Sequence, residues 1–264
     1  MQTLDQVLNF IEENKKNMDF LPTGFATLDR NLDGGFLRKE LVVLGANTGA
    51  GKSFMAGQIM FNMAQKGFKT SYFSLEISNA MIVSRLIGQE ADIKSIKILI
   101  DRLTDGEKKR KSTAQGKIRT YSKNMFFYDD VYEYAEISKH IRENKRDFVV
   151  VDFIQNIFVP KMQEYERLSY VALQLQKLAK QTNCCILLLS QFSNQAAKEG
   201  NKNPVLEFKG SGSIATVADL GFTLVFDPAL ETLDLTLRKN RRGVSGISHQ
   251  LLFSREGHKL YAQT

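Results

Sequence analysis

The residues that could do chemistry begin at Gly45. The segment Gly45-Ala46-Asn47-Thr48-Gly49-Ala50-Gly51-Lys52-Ser53 sits between an apolar run and a helical pattern. Glycines let the backbone wrap closely round a polyphosphate. The helix that follows offers free N–H groups and the positive end of its dipole. In such a loop Lys52 reaches the β and γ phosphates and the Ser53 hydroxyl binds Mg²⁺. The strict pattern has Gly six positions before the lysine; here Ala46 stands there, small enough for the turn, with Gly45 beside it. The expected nucleotide cradle is therefore Ala46, Asn47, Thr48, Gly49, Ala50, Gly51, Lys52 and Ser53.

Polar residues at the ends of later apolar runs complete the set. Asp152 follows Phe148-Val149-Val150-Val151, at the carboxyl edge of a predicted parallel strand. That edge is where open α/β sheets bind ligands, and an acid there can hold the Mg²⁺ shell. Glu76 ends the strand that follows the phosphate-loop helix. A carboxylate near the γ-phosphate can orient or deprotonate water. A helix-capping glutamate and a solvent-facing aspartate are the plainer readings of the same positions. Ser190-Gln191 ends another apolar run, where the amide can sense a γ-phosphate or simply close the strand.

These residues need a scaffold that brings strand ends together. Leu4, Val7, Leu8 and Ile11 fall at helical spacing and predict an amphipathic first helix. Residues 18–39 read as turns. Strands are expected at 41–45, 70–75, 125–128, 148–152 and 184–189, with helices at 52–66, 78–90, 133–146 and 168–179 between them. The polar, basic stretch 101–124 reads as a solvated helix, including the run Lys108 to Lys111. Unalternating apolar strands joined by helices predict an α/β fold with a mostly parallel sheet covered on both faces. Strand patterns near 221–227, 233–238, 249–253 and 258–262 follow one another without helices, so the C-terminal edge of the sheet is expected to be antiparallel.

Composition bounds the rest. The chain has 264 residues, 43% hydrophobic and 25% charged, enough to bury a core without disulfides or metals. It has no apolar run near membrane-spanning length. The N-terminus has acids and no apolar signal core. Cys184 and Cys185 are adjacent in an apolar strand, on opposite faces, and poorly placed to pair, which fits a reducing cytoplasm. Lys and Arg number 36 against 29 acids, a net charge of +7, which suits a polyanionic partner and equally a mildly cationic surface.

The motifs together resemble the ATPase domain of the DnaB-type replicative helicases, within the RecA-like superfamily of P-loop NTPases. The resemblance runs from Leu21 nearly to the C-terminus. Pro22-Thr23-Gly24-Phe25-Ala26-Thr27-Leu28-Asp29 resembles the family's opening motif, and Ala46 to Ser53 its phosphate loop. Phe73-Ser74-Leu75-Glu76 resembles the strand with the catalytic glutamate, and Asp152-Phe153-Ile154-Gln155 the Mg²⁺ motif. Leu189-Ser190-Gln191 resembles the γ-phosphate sensor. Lys239-Asn240-Arg241-Arg242-Gly243 resembles the basic strand-end motif that members insert into a neighbour's ATP site. Lys239 and Arg241 are two apart, so on a strand both point to one face, and a guanidinium at the γ-phosphate stabilises transition-state charge.

The resemblance implies ATP and Mg²⁺ as cofactors, catalysis by Lys52, Glu76, Gln191, Lys239 and Arg241, and a metal held by Ser53 and Asp152. It implies a homo-oligomeric, hexameric ring on single-stranded DNA, with primase or a helicase loader as further partners and no membrane. The loop 193–210 falls where the family tracks the DNA backbone. Its Lys198, Lys202, Lys209 and Gly210, with Gly212 beyond, are the expected contacts: lysines and exposed N–H groups hold phosphates. Lys209 stands where the family has an Arg, and Gly210 where it usually has an acid. The expected organisation is a linker-like helix at 1–17 and an ATPase domain at 18–264, with no room for the family's N-terminal collar. The helix matches one that docks on the adjacent subunit; packing on its own domain is the alternative. Other functions compatible with the residues are a RecA-like recombination or repair accessory, and an ATP-dependent switch without unwinding.

Overall fold

The computed structural model describes residues 3–14, 20–192, 212–253 and 259–262. Its centre is a nine-stranded sheet. In chain order, β1 (Phe20–Leu21) and β2 (Phe36–Leu37) form a small antiparallel pair outside it. The large sheet contains β3 (Leu41–Ala46), β4 (Thr70–Ser74), β5 (Met125–Tyr128), β6 (Phe148–Asp152), β7 (Cys185–Gln191), β8 (Leu220–Asp227), β9 (Thr232–Asn240), β10 (Ile247–Phe253) and β11 (Leu260–Ala262). Their spatial order is β11-β10-β9-β8-β3-β7-β6-β4-β5. Strands from β8 through β5 in that order are parallel, and β9, β10 and β11 are added antiparallel. The expected α/β architecture with an antiparallel C-terminal edge is what the structure has.

The helices are α1 (Leu4–Asn14), α2 (Ala26–Asn31), α3 (Lys52–Gln65), α4 (Asn79–Ala91), α5 (Ser95–Leu99), α6 (Asp105–Thr120), α7 (Tyr134–Glu143), α8 (Glu164–Thr182) and α9 (Gly212–Val217). They divide between the two faces of the sheet, and alternate strand residues follow them. Val42, Leu44, Val150, Leu187 and Leu189 pack with Met55, Ile59 and Met63 of α3 and with Ile82 and Leu86 of α4. Val43, Val149, Val151, Ile186 and Leu188 pack with Ile137 and Ile141 of α7 and with Leu168, Val171 and Leu175 of α8. Burial on both faces is why these strands read as unbroken apolar runs. Cys185 belongs to the first layer and Cys184 to the second, and both thiols are free. Burial pushes the Cys184 thiol up to about 11.

Some expectations change. Residues 18–39 are not turns alone; they hold β1, α2 and β2. The tie is Asp29, whose carboxylate accepts from the Thr23 N–H at 2.8 Å, the Thr23 hydroxyl at 2.6 Å and the Gly24 N–H at 3.1 Å. The polar stretch 101–124 is α-helical only over α6, with a short 3-10 turn at Ser122–Asn124 after it. That helix starts at a reciprocal cap: Thr104 accepts from the Glu107 N–H and Glu107 accepts from the Thr104 N–H. Its basic run is solvated, with Lys108 paired to Asp105 and Lys111 to Asp101. Among the described residues no helix is long and apolar enough to cross a membrane. Leu4, Val7 and Leu8 of α1 are exposed, so the apolar stripe of that helix is not buried on its own domain there. The Ile11 side chain lies outside the described residues.

Candidate active site

The strands β3, β7, β6 and β4 are adjacent in that order, and residues at the carboxyl ends of β3, β7 and β4 line one cleft of about 370 Å³. Sheet order therefore brings together what the sequence spreads from residue 45 to residue 191. Thr48, Gly49, Gly51, Lys52 and Ser53 line it together with Glu76, Arg85 and Gln191, while Asp152 is buried off that lining. Of the expected cradle, Ala46, Asn47 and Ala50 are not on that lining. Ala46 is the buried last residue of β3, and the Ala50 N–H closes the loop onto the Asn47 carbonyl at 3.2 Å. They shape the loop rather than face its contents.

Gly51 opens α3 with φ of +88°, a left-handed conformation in which a Cβ would meet Leu233 at 3.3 Å. Glycine is the residue this turn tolerates without strain. The helix then begins at Lys52, with its first N–H groups directed at the cleft. Lys52 Nζ donates to the carbonyls of Ala46 at 3.1 Å and Asn47 at 2.9 Å. Burial lowers its pKa, against the opposing pull of Asp152 and Glu76. A buried ammonium resting on loop carbonyls, with carboxylates nearby, is poised to turn to an anionic ligand.

Asp152 is 1% exposed and ends β6. Its Oδ2 accepts the Tyr72 hydroxyl at 2.6 Å, while Oδ1 is buried with no hydrogen-bond partner. Burial pushes its pKa up, and the Ser53 and Tyr72 hydroxyls, Lys52 and Arg85 pull it back. An orphaned buried carboxylate oxygen beside a hydroxyl is the donor chemistry that a hard divalent cation takes, so Ser53 and Asp152 fit a Mg²⁺ shell.

Glu76 is exposed in the loop between β4 and α4. That loop is tied down on several sides. Leu75 donates its N–H to the Asp152 carbonyl at 2.7 Å and accepts Asn156 Nδ2 at 2.8 Å. Asp129 accepts both the backbone N–H and the side-chain amide of Asn79, at 2.7 and 2.9 Å. Gln155 links the segment after β6 to β7. Its Nε2 donates to the Ser190 hydroxyl at 3.1 Å and its Oε1 accepts the Gln191 N–H at 3.4 Å.

Lys239 and Arg241 are not on the lining of this cleft. They do share one direction. Lys239 Nζ donates to the Ala215 and Thr216 carbonyls at 2.8 and 2.6 Å, capping the end of α9. Arg241 donates to the Thr216 carbonyl at 3.1 Å and pairs with Asp219 at 2.9 Å. Arg242 departs from them and ties the strand inward, pairing with Glu40 at 3.0 Å. The expected DNA contacts Lys198, Lys202, Lys209 and Gly210 lie outside the described residues; Gly212 is the first residue of α9.

Sequence reasoning missed Arg85 and Tyr72. Arg85 sits inside α4 with no motif around it, and Tyr72 looks like any aromatic strand residue. Strand register is the signal that identifies Tyr72: it pairs with Val150, two residues before Asp152, on the adjacent strand.

The comparisons with known proteins agree with this geometry. The DnaB-like helicase C terminal domain family matches residues 21–261. The replicative DNA helicase DnaB of Treponema pallidum (strain Nichols) is 28% identical over 257 residues, covering 92% of this chain and 57% of the relative. The probable plasmid replicative DNA helicase of Chlamydia trachomatis is 28% identical over 246 residues, 89% of this chain and 53% of that one. The chain thus spans little more than half the length of these curated relatives. A solved ATPase domain superposes with a TM-score of 0.87 at 22% identity, covering 100% of both chains. A DnaB-like replicative helicase, solved in a study of its interactions with primase, gives 0.86 at 23% identity over 99% of this chain and 67% of that one.

Proposed function

The chain belongs to the DnaB-like helicase C-terminal domain family, and we propose that it is the ATP-hydrolysing motor of a ring that threads single-stranded DNA during replication. The observation that carries this reading is the convergence of the phosphate loop, Glu76 and Gln191 on one cleft, with Asp152 buried behind it next to Lys52 and Ser53. Loop N–H groups and Lys52 would hold the β and γ phosphates. Ser53 and Asp152 would hold Mg²⁺, which when bound neutralises charge on the β and γ oxygens. Glu76 would orient the attacking water and take its proton, and Gln191 would register the γ-phosphate. Family membership does not favour the recombination accessory or the non-hydrolysing switch.

The remaining groups belong to an assembly. Lys239 and Arg241 would reach the γ-phosphate of an adjacent subunit in a hexameric ring. Arg241 would supply the charge that stabilises the transition state there. The exposed stripe Leu4, Val7 and Leu8 supports α1 docking on a neighbour. The segment 193–210, with Lys198, Lys202, Lys209 and Gly210, and Gly212 after it, would follow the DNA backbone. Primase or a loader would be a partner of the same ring. The test is ATPase rate with and without single-stranded DNA, with particle shape read by electron microscopy in the same sample. Stimulation by single strands together with ring-shaped particles supports the proposal. Turnover indifferent to DNA, in particles that are not rings, refutes it.

A further inference from the structure

We propose that Tyr72 is a positioning residue of the metal site, through a hydrogen bond that holds the Asp152 carboxylate in one orientation. The inference rests on the reading that Ser53 and Asp152 bind the cation, and extends it to a residue from a third element. Tyr72 and Asp152 lie on adjacent parallel strands, with Tyr72 opposite Val150 and Ser74 opposite Asp152. Residues two apart on a strand share a face. Both side chains therefore project from the same side of the sheet as Val150, the side covered by α3.

Two residues of strand rise are roughly 6.6 Å, a distance the long tyrosine side chain can bridge. Its hydroxyl meets Asp152 Oδ2 at 2.6 Å, and both residues are essentially removed from solvent, at 0% and 1% exposure. The first turn of α3 brings Ser53 to the same place.

The consequence is an asymmetric carboxylate. Oδ2 is occupied by a neutral donor that cannot leave for water in so dry a site. Oδ1 is buried and has no partner within the protein. A carboxylate fixed in this way presents one oxygen to the cation or its water shell, and loses little orientational freedom when the cation arrives. Outer partners of this kind set the direction and basicity of metal ligands. A phenylalanine would fill the same space and leave the carboxylate free to turn.

The test compares Tyr72→Phe and Asp152→Asn with the parent chain. Free Mn²⁺ is measured by electron paramagnetic resonance as it is titrated into protein with ADP. ADP binding without metal and thermal unfolding are measured on the same samples. Tyr72→Phe is expected to bind ADP without metal as the parent does, and to weaken Mn²⁺ about tenfold, the lower end of what loss of an outer partner costs. The Mg²⁺ concentration for half-maximal ATPase should rise in proportion, with kcat at saturating Mg²⁺ little changed. Asp152→Asn should weaken Mn²⁺ further. Mn²⁺ affinity unchanged in Tyr72→Phe while Asp152→Asn weakens it overturns the role of Tyr72 alone. Unchanged affinity in Asp152→Asn overturns the metal-site reading and the Tyr72 proposal with it. A Tyr72→Phe that loses ADP and Mn²⁺ binding together, with an earlier melt, shows a packing role and also overturns the proposal.

Discussion

The parallel strands and the antiparallel edge treat their polar groups in opposite ways. At the carboxyl ends of β3, β7, β6 and β4, polar groups turn inward to one cleft and to one another: Lys52 to the loop carbonyls, Tyr72 to Asp152, Gln155 to Ser190. At the antiparallel edge, Lys239 near the end of β9 and Arg241 in the turn just after it reach toward the end of α9 and Asp219. The cleft has the phosphate loop without Arg241, and Arg241, after β9, has no phosphate loop beside it. On the proposed reading a single chain would carry one half of each of two sites, which is an arrangement a ring of identical subunits can complete.

The largest test of this contrast falls on the cradle. Lys52→Ala removes the one ammonium that the phosphate loop aims into the cleft, and ATP turnover is expected to fall to background with nucleotide binding lost. Full ATPase activity in that variant would show that the cleft is not the nucleotide site.

Arg241→Ala tests the opposite half. The protein should remain folded, because the guanidinium is largely at the surface, 47% exposed. Turnover should fall about a thousandfold, the scale of a lost arginine finger. Mixed with Lys52→Ala, it should recover part of the activity, since some interfaces then join an intact cradle to an intact Arg241. Equal turnover of the mixture and the separate variants, at every ratio, would place catalysis within one chain. Glu76→Gln has a smaller expected effect, about a hundredfold in kcat with nucleotide affinity preserved. Normal turnover there would move the water-orienting role to another residue.

The two regions were also unequally legible in the sequence. β5 and β6 have the bounds their apolar runs predict; for β6, burial on both faces leaves no ambiguity about where such a run stops, while β5 is a partly buried edge strand. Asp152 was recognisable for the same reason: an acid ending a run of valines marks a strand end. β1, α2 and β2 were not legible, since strands of two residues carry no period and α2 depends on Asp29 reaching back to Thr23 and Gly24. Tyr72 and Arg85 were hidden because their meaning comes from register and from the packing of α4. Lys239 and Arg241 were expected on one face of a strand; Arg241 lies in the turn after β9, and the two share a target because both reach the Thr216 carbonyl. Their spacing said nothing of α9, whose carbonyls depend on how the chain returns to the sheet after β7.

Asp219 gives the smallest and most discriminating test of how the edge holds its arginine. Its Oδ1 pairs with Arg241, while its Oδ2 accepts the Leu41 N–H at 2.9 Å. Asp219→Asn keeps an amide oxygen for Leu41 and removes the charge beside Arg241. The aspartate side chain is 12% exposed, but its partner is nearly half exposed, and pairs open to water in this way contribute up to about 1 kcal/mol. One kcal/mol is about a fivefold change in an equilibrium, so steady-state turnover in Asp219→Asn should fall by no more than about fivefold, with the thermal midpoint nearly unchanged. The Thr216 carbonyl still accepts Arg241 in that variant, and the loss is therefore one of bias in orientation rather than of the group itself. A fall as deep as that of Arg241→Ala would mean that Asp219 alone directs the arginine. A rise in turnover would mean that the pair restrains Arg241 at the end of α9, away from the neighbour it serves.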